Sequence, residues 1–204
     1  MIRRFILDLM EPVLLGIRKI RLPAPRLDKR VHLEQLGKIL SPGQLILSRS
    51  DLYLTNVFNS GVYKHSSVYI GHGRVVEAVW PKVRIIPLED WLKDKSHIVL
   101  LENTAIENSH EWFELVKIAE AVAGSEYDMD FHIEYEFEPI KRYYCHELGW
   151  YLHNQVAPKT LPDPKFFMGS HTILADDFLK DPTTFRVVWA LGDPLYKKIT
   201  EGNQ

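Results

Sequence analysis

The sequence predicts one domain built from antiparallel β-strands and α-helices, and three observations carry that expectation. Short β-rich runs recur between residues 44 and 102, separated by turn residues. Two later stretches, 109–123 and 145–156, place apolar residues at helical spacing instead. The chain's 204 residues are 46% apolar, enough to bury a sizeable core without disulfides or a structural metal.

Taken in order, residues 1–20 mix Phe5, Ile6, Leu9, Val13 and Leu14 with Arg3, Arg4, Asp8, Glu11, Arg18 and Lys19. Charges interrupt the segment too often to span a bilayer. Its longest uncharged run, 12–17, is far short of the ~20 apolar residues a spanning helix needs, and no cleavage-site pattern follows. We therefore expect neither a secretory signal nor a transmembrane span, and a cytoplasmic protein. The segment suits an amphipathic helix lying peripherally on a membrane surface, or, more blandly, one packed on this domain or on a second copy. Pro23 and Pro25 make residues 21–30 an extended connector, so residues 1–30 form a helix and linker and residues 31–204 the catalytic domain.

Residues 31–40 read as a short helix stopped by Ser41, Pro42 and Gly43, a turn leading into strand 44–48. Residues 65–70 and 74–80 read as strands of a hairpin around Gly71, His72 and Gly73. With a three-residue loop, Ile70 pairs with Arg74 and His65 falls opposite Val79. Because side chains alternate faces, Glu77 then shares a face with His65, whereas a two-residue loop would separate them. Residues 83–87 and 98–102 are further strands, with a helical turn at 88–93. A helix opens near Asn108 or Ser109 and ends at Gly124. Residues 124–139 read as a polar and aromatic loop, 157–169 as irregular with three prolines, 170–179 as a short capped turn, and 184–191 as a last strand.

The balance of 25 basic and 27 acidic side chains leaves no global basic surface, which argues against a nucleic-acid partner. One cysteine excludes an intrachain disulfide and a multi-cysteine zinc site. Composition alone favours a buried apolar filler for it. Its position argues otherwise. Cys145 stands where a helix begins, with Leu148, Leu152 and Val156 following, and a thiol in a first turn lies in the field of unpaired backbone N–H groups. Those groups favour the thiolate and can hold a developing oxyanion.

A thiol nucleophile needs a base and a third group to orient it. His65 and Glu77 suit these roles if the hairpin has the three-residue register, although any one of nine histidines is more often structural. Tyr53, Tyr143 and Tyr144 are candidates to line a cleft or donate to an oxyanion, with aromatic packing as the commoner explanation. Asp128, Asp130, Glu134, Glu136 and Glu138 lack calcium-loop spacing and read as a solvated face, so no metal site and no cofactor are expected.

Three segments carry a family resemblance: residues 64–73 with His65, residues 75–78 with Glu77, and residues 144–148 with Cys145. Together they resemble the circularly permuted papain-like branch of the NlpC-type cysteine peptidases, the YiiX-like group, over residues 40–191. The order agrees as well, since in that branch the histidine strand precedes the cysteine. The resemblance implies a papain-like α+β fold, a curved antiparallel sheet packed against the cysteine helix. It also implies Cys145 as nucleophile, His65 as base and Glu77 as the third member. Two positions depart from the family pattern: Gln44 stands where an acidic residue is usual, and His146 where a small hydroxyl residue is usual. His146 would change the polarity of the site or add a second titrating group.

The activity the resemblance implies is thiol hydrolysis through a Cys145 acyl-enzyme, cleaving an amide bond in a cell-wall-type peptide or related amide. A lipid-directed acyl hydrolase or transferase with the same triad, and a silent binding module using the cleft for recognition, are the alternatives.

Overall fold

The computed structural model describes residues 29–50, 61–106, 109–133, 142–158, 161–167, 170–180, 182–191 and 197. The expected amino-terminal helix, nearly all of the connector, Tyr53, Asn108, and the acidic Glu134, Glu136 and Glu138 lie outside these residues.

The apolar runs of the first half become the centre of an eight-stranded sheet, whose middle strands are buried on both faces. Its strands are β1 (Leu45–Arg49), β2 (His65–Gly71), β3 (Arg74–Val79), β4 (Lys82–Pro87), β5 (His97–Asn103), β6 (Glu126–Tyr127), β7 (Arg142–Tyr143) and β10 (Phe185–Leu191). They are ordered β10-β5-β1-β2-β3-β4-β6-β7, and every pairing is antiparallel except β6 with β7. A separate hairpin joins β8 (Lys165–Phe167) to β9 (Ser170–Thr172).

Alternation sorts the side chains into two cores. Leu45, Leu47, Val68, Ile70, Val76, Ala78, Val99 and Leu101 pack with Leu115 and Ala119 of α3 (Ser109–Ala121) and Leu148 and Leu152 of α4 (Cys145–Val156). Ile46, Tyr69, Val75, Ile98 and Leu100 face the other way, onto Leu36 of α1 (Lys29–Ile39) and Leu88 and Trp91 of α2 (Leu88–Trp91). This explains why β1 and β5 read as continuous apolar runs rather than alternating ones: both faces exclude water. A short helix α5 (Asp177–Lys180) leads into β10. The result is the expected α+β fold, a curved, mainly antiparallel sheet with the cysteine helix packed against β2 and β3. Gly149 permits the close approach of α4, because a Cβ there would stand 2.8 Å from Leu45 Cδ1.

The β2–β3 hairpin differs from expectation in an informative way. Its loop has two residues, His72 and Gly73, both at positive φ (52° and 67°), and Gly71 pairs with Arg74. A register shift between Tyr69 and Gly71 then inserts one extra residue, so that Val68 pairs with Val76 and Tyr69 with Val75. The body of the hairpin therefore keeps the register that a three-residue loop would have produced, with His65 and Glu77 on one face. His72 is exposed at the tip, as expected for a turn.

Three other segments hold more structure than their sequence suggests. Residues 124–139 contain β6, residues 157–169 contain β8, and residues 170–179 begin with β9 rather than a turn. These strands are two or three residues long and exist by backbone pairing to a neighbour, so no side-chain period announces them. Asp128, expected on a solvated face, is only 4% exposed. Its carboxylate accepts the backbone N–H groups of Asp130 and His132, each at 3.0 Å, and so ties the loop together.

Candidate active site

Cys145 begins α4 because the preceding residue cannot continue it. Tyr144 is extended (φ −89°, ψ 170°), and its N–H is accepted by the carboxylate of Glu147 at 3.2 Å, one half of a capping box. The Tyr144 hydroxyl accepts the N–H of Ile173 at 2.9 Å and lies 3.1 Å from Thr172 Oγ1, which pins the helix start to the segment after β9. Leu148 and Leu152 anchor the other end of the first two turns in the core. Cys145 is 8% exposed and heads a helix whose first N–H groups have no intrahelical acceptors.

The start of β2 meets it. His65 lies within hydrogen-bonding reach of the Cys145 thiol, and its Nε2 is 2.8 Å from Glu77 Oε2. Nδ1 is thus the ring nitrogen left for the sulfur. Glu77 comes from β3, is 2% exposed, and is held on its other oxygen by Arg84 of β4, whose Nε and Nη2 donate to Oε1 at 2.9 and 2.6 Å. Ser66, the next residue of β2, donates its hydroxyl to the Cys145 carbonyl at 2.8 Å. Consecutive residues of one strand therefore reach the thiol and the carbonyl of the same cysteine.

Electrostatics follow from this packing. Burial opposes charge on His65, but its hydrogen bonds to Cys145 and Glu77 outweigh that and raise it to about 9. Burial likewise opposes ionisation of Glu77, yet His65, with Lys95 and Arg84, brings it down to about 2. For Cys145 the burial penalty is overcome by His146 and His65, which hold the thiol well below its ordinary range. Thiolate, imidazolium and carboxylate stabilise one another in a place where none would be charged alone.

Of the other expected residues, His146 is 4% exposed, and its Nδ1 lies 3.1 Å from Ser66 Oγ. Tyr143 and Tyr144 are buried: Tyr143 packs on Tyr151 with ring centroids 5.1 Å apart, and the hydroxyl of Tyr144 is engaged by Thr172 and Ile173. Gln44 accepts the Ser41 N–H at 3.0 Å, so the amide does the turn-closing work open to an acidic side chain there. Ser66 and Arg84 were not singled out from sequence. Arg84 had a usable signal, since a tight turn at Trp80 and Pro81 sets it directly across from Glu77.

A curved antiparallel sheet meeting a helix that starts on a cysteine, with the histidine strand earlier in the chain, defines a papain-like cysteine hydrolase in permuted order. The chain belongs to the family of permuted papain-like amidases, YaeF/YiiX, C92, whose model matches residues 39–188. The crystal structure described as metalloprotein yiiX from Escherichia coli O157:H7 is similar in fold: TM-score 0.63 at 15% identity, covering 75% of this chain and 98% of that one. No curated protein matches the chain significantly. Among the described residues of this chain, no three His, Cys, Asp or Glu side chains gather in a way that would hold a metal ion, and no helix is long and apolar enough to cross a membrane.

Proposed function

We propose that the protein cleaves an amide bond, in a cell-wall-type peptide or a related small amide, through an acyl-enzyme on Cys145. One observation carries the reading: His65 bridges the thiol at the start of α4 and the buried carboxylate of Glu77, 2.8 Å from its Nε2.

The thiolate attacks the substrate carbonyl, and the first-turn N–H groups of α4 receive the negative charge on its oxygen. His65, protonated at Nδ1, gives that proton to the departing amine, and the C–N bond breaks to leave a thioester. Neutral His65 then takes a proton from water as the hydroxide adds to the thioester. Collapse of the second tetrahedral intermediate releases the acid and restores the thiolate beside the imidazolium. Glu77 holds the ring in one orientation and stabilises its charged form throughout. Amide cleavage is supported over a lipid substrate by the matching family, which is described as one of amidases.

The test is mass spectrometry of a panel of cell-wall-derived peptides and simple acyl amides incubated with the protein and with Cys145→Ala. Cleavage by the parent alone, with an acyl adduct trapped on the peptide containing Cys145, is the expected result. Equal cleavage by both proteins would remove Cys145 from the chemistry, and turnover of lipid esters without any amide would replace the substrate class.

A further inference from the structure

Asp176, which precedes α5, holds the approach to the strand that carries His65. Its carboxylate is buried and accepts the backbone N–H of Val62 on Oδ2 at 2.7 Å and that of Tyr63 on Oδ1 at 3.0 Å. Both N–H groups lie ahead of the strand that begins at His65, so this side chain supplies the acceptors that a strand partner supplies further on. Gly61 makes room for it, with φ at +89° and a built Cβ that would stand 3.0 Å from Oδ2. The same short segment also holds the start of the cysteine helix. The Tyr144 hydroxyl accepts the Ile173 N–H at 2.9 Å and lies 3.3 Å from the Ile173 carbonyl and 3.1 Å from Thr172 Oγ1. Between these two anchors the segment is closed on itself. Leu174 N–H donates to Asp177 Oδ2 and Asp177 N–H to the Leu174 carbonyl, both at 3.0 Å, while Ile173, Ala175 and Phe178 are fully buried.

From these contacts we infer that Asp176 is a positioning residue for the reaction at Cys145: through residues 172–176 it locks the strand entry of His65 to the helix start of Cys145 and so sets the separation of base and nucleophile. The inference rests on the reading of those two residues as base and nucleophile. The bridge is short, since it grips the chain two residues before His65 and one residue before Cys145. Ser66 braces the Cys145 carbonyl from within the sheet, and Asp176 fixes the same pair of elements from outside it. Lys64 closes the intervening turn, with Nζ donating to the Gly61 carbonyl at 2.6 Å. Position matters steeply here, because a displacement of about 1 Å between reacting groups costs on the order of a hundredfold in rate.

The pH dependence of iodoacetamide alkylation at Cys145 tests this without a substrate. It would be measured in the intact parent, Asp176→Asn, His65→Ala and the double variant, each well below its own melting transition. Asparagine keeps the size of the side chain but has one acceptor oxygen where two N–H groups each need one. An ordinary thiol, with its midpoint near ~8.5, is only about 1% thiolate at pH 6.5. We expect Asp176→Asn to raise the midpoint and to slow alkylation at that pH by about tenfold. The double variant should match His65→Ala within about twofold, because the carboxylate acts through the histidine. Loss of a negative charge by itself would favour the thiolate and lower the midpoint, so the sign of the shift separates positioning from a charge effect. If Asp176→Asn does not fold, Gly61→Ala, which crowds the carboxylate off the two N–H groups, takes its place with the same expectation. A lowered melting temperature with the parent's midpoint makes Asp176 a purely structural residue and overturns the inference, as does a shift that persists in full without His65. A parent that alkylates like a free thiol, or whose reactivity is indifferent to His65→Ala, overturns the reading of the pair, and this inference with it.

Discussion

Arg84 and Glu77 face each other directly across β3 and β4, and the guanidinium closes on one carboxylate oxygen, Oε1, from two nitrogens at 2.9 and 2.6 Å. The other oxygen is thereby left to His65 Nε2 at 2.8 Å. A buried carboxylate with two free oxygens has two ways to meet an imidazole, and Arg84 removes one of them.

Replacing Arg84 with Ala should therefore loosen the ring of His65 more than it loosens the fold. The Arg84 side chain is 49% exposed, so solvent screening limits the pair's contribution to stability to about 1 kcal/mol. Catalytic rate should fall about tenfold through misorientation, with Arg84→Lys recovering only part because it restores charge without the fork. Melting curves and Cys145 alkylation rates separate the two effects. A large drop in melting temperature with unchanged alkylation would make Arg84 a purely structural residue.

Glu77→Gln keeps the size of the side chain and removes its charge. The hydrogen bond and charge of Glu77 help raise His65 to about 9 against the cost of burial, so the variant should lower that value. Activity in the parent should rise with pH as the thiolate forms and decline through about 9 as His65 loses the proton it must deliver to the amine. In Glu77→Gln the alkaline decline should begin earlier, and the maximal rate should fall by about tenfold to a hundredfold. The pH–rate profile of both proteins measures this. Superimposable alkaline limbs would mean that Glu77 does not act on His65.

Much of this arrangement was legible in the chain because its signals are local. The helix start at Cys145, the strand pair carrying His65 and Glu77, and the apolar runs of β1 and β5 each follow from short-range spacing. The hairpin shows how a correct face assignment can arise from a different loop: a two-residue turn plus a bulge gives the same strand register as a three-residue loop. What escaped reading depends on contacts between distant segments. Ser66 matters because α4, 79 residues later, brings the Cys145 carbonyl onto it, and β6 and β7 exist only as backbone partners for an edge. Nor does the spacing of Asp128 reveal that its carboxylate turns inward to cap its own loop.

His153 gives a prediction about stability rather than chemistry. It lies on the core side of α4, fully buried, edge-on to Phe185 with centroids 5.2 Å apart and with Nδ1 3.4 Å from the Asn103 side chain. Burial lowers its pKa to about 3, against about 6.5 when the chain is unfolded. Between those values the unfolded state binds a proton that the folded state refuses, so stability rises with pH across this window and is lost as pH falls. Each unit below 6.5 should cost about 1.4 kcal/mol, or about 3 kcal/mol by pH 4.5. Glu77, lowered to about 2 despite burial, adds its own acid loss only below its unfolded value near 4.5, whereas the lowered Cys145 thiol adds a slope of the same sign, so His153 is read from the difference between parent and variant. Urea unfolding across that interval should show the slope in the parent and a flatter one in His153→Phe, which cannot take up a proton. Equal slopes in the two proteins would mean that the buried imidazole meets the incoming proton without opening the fold.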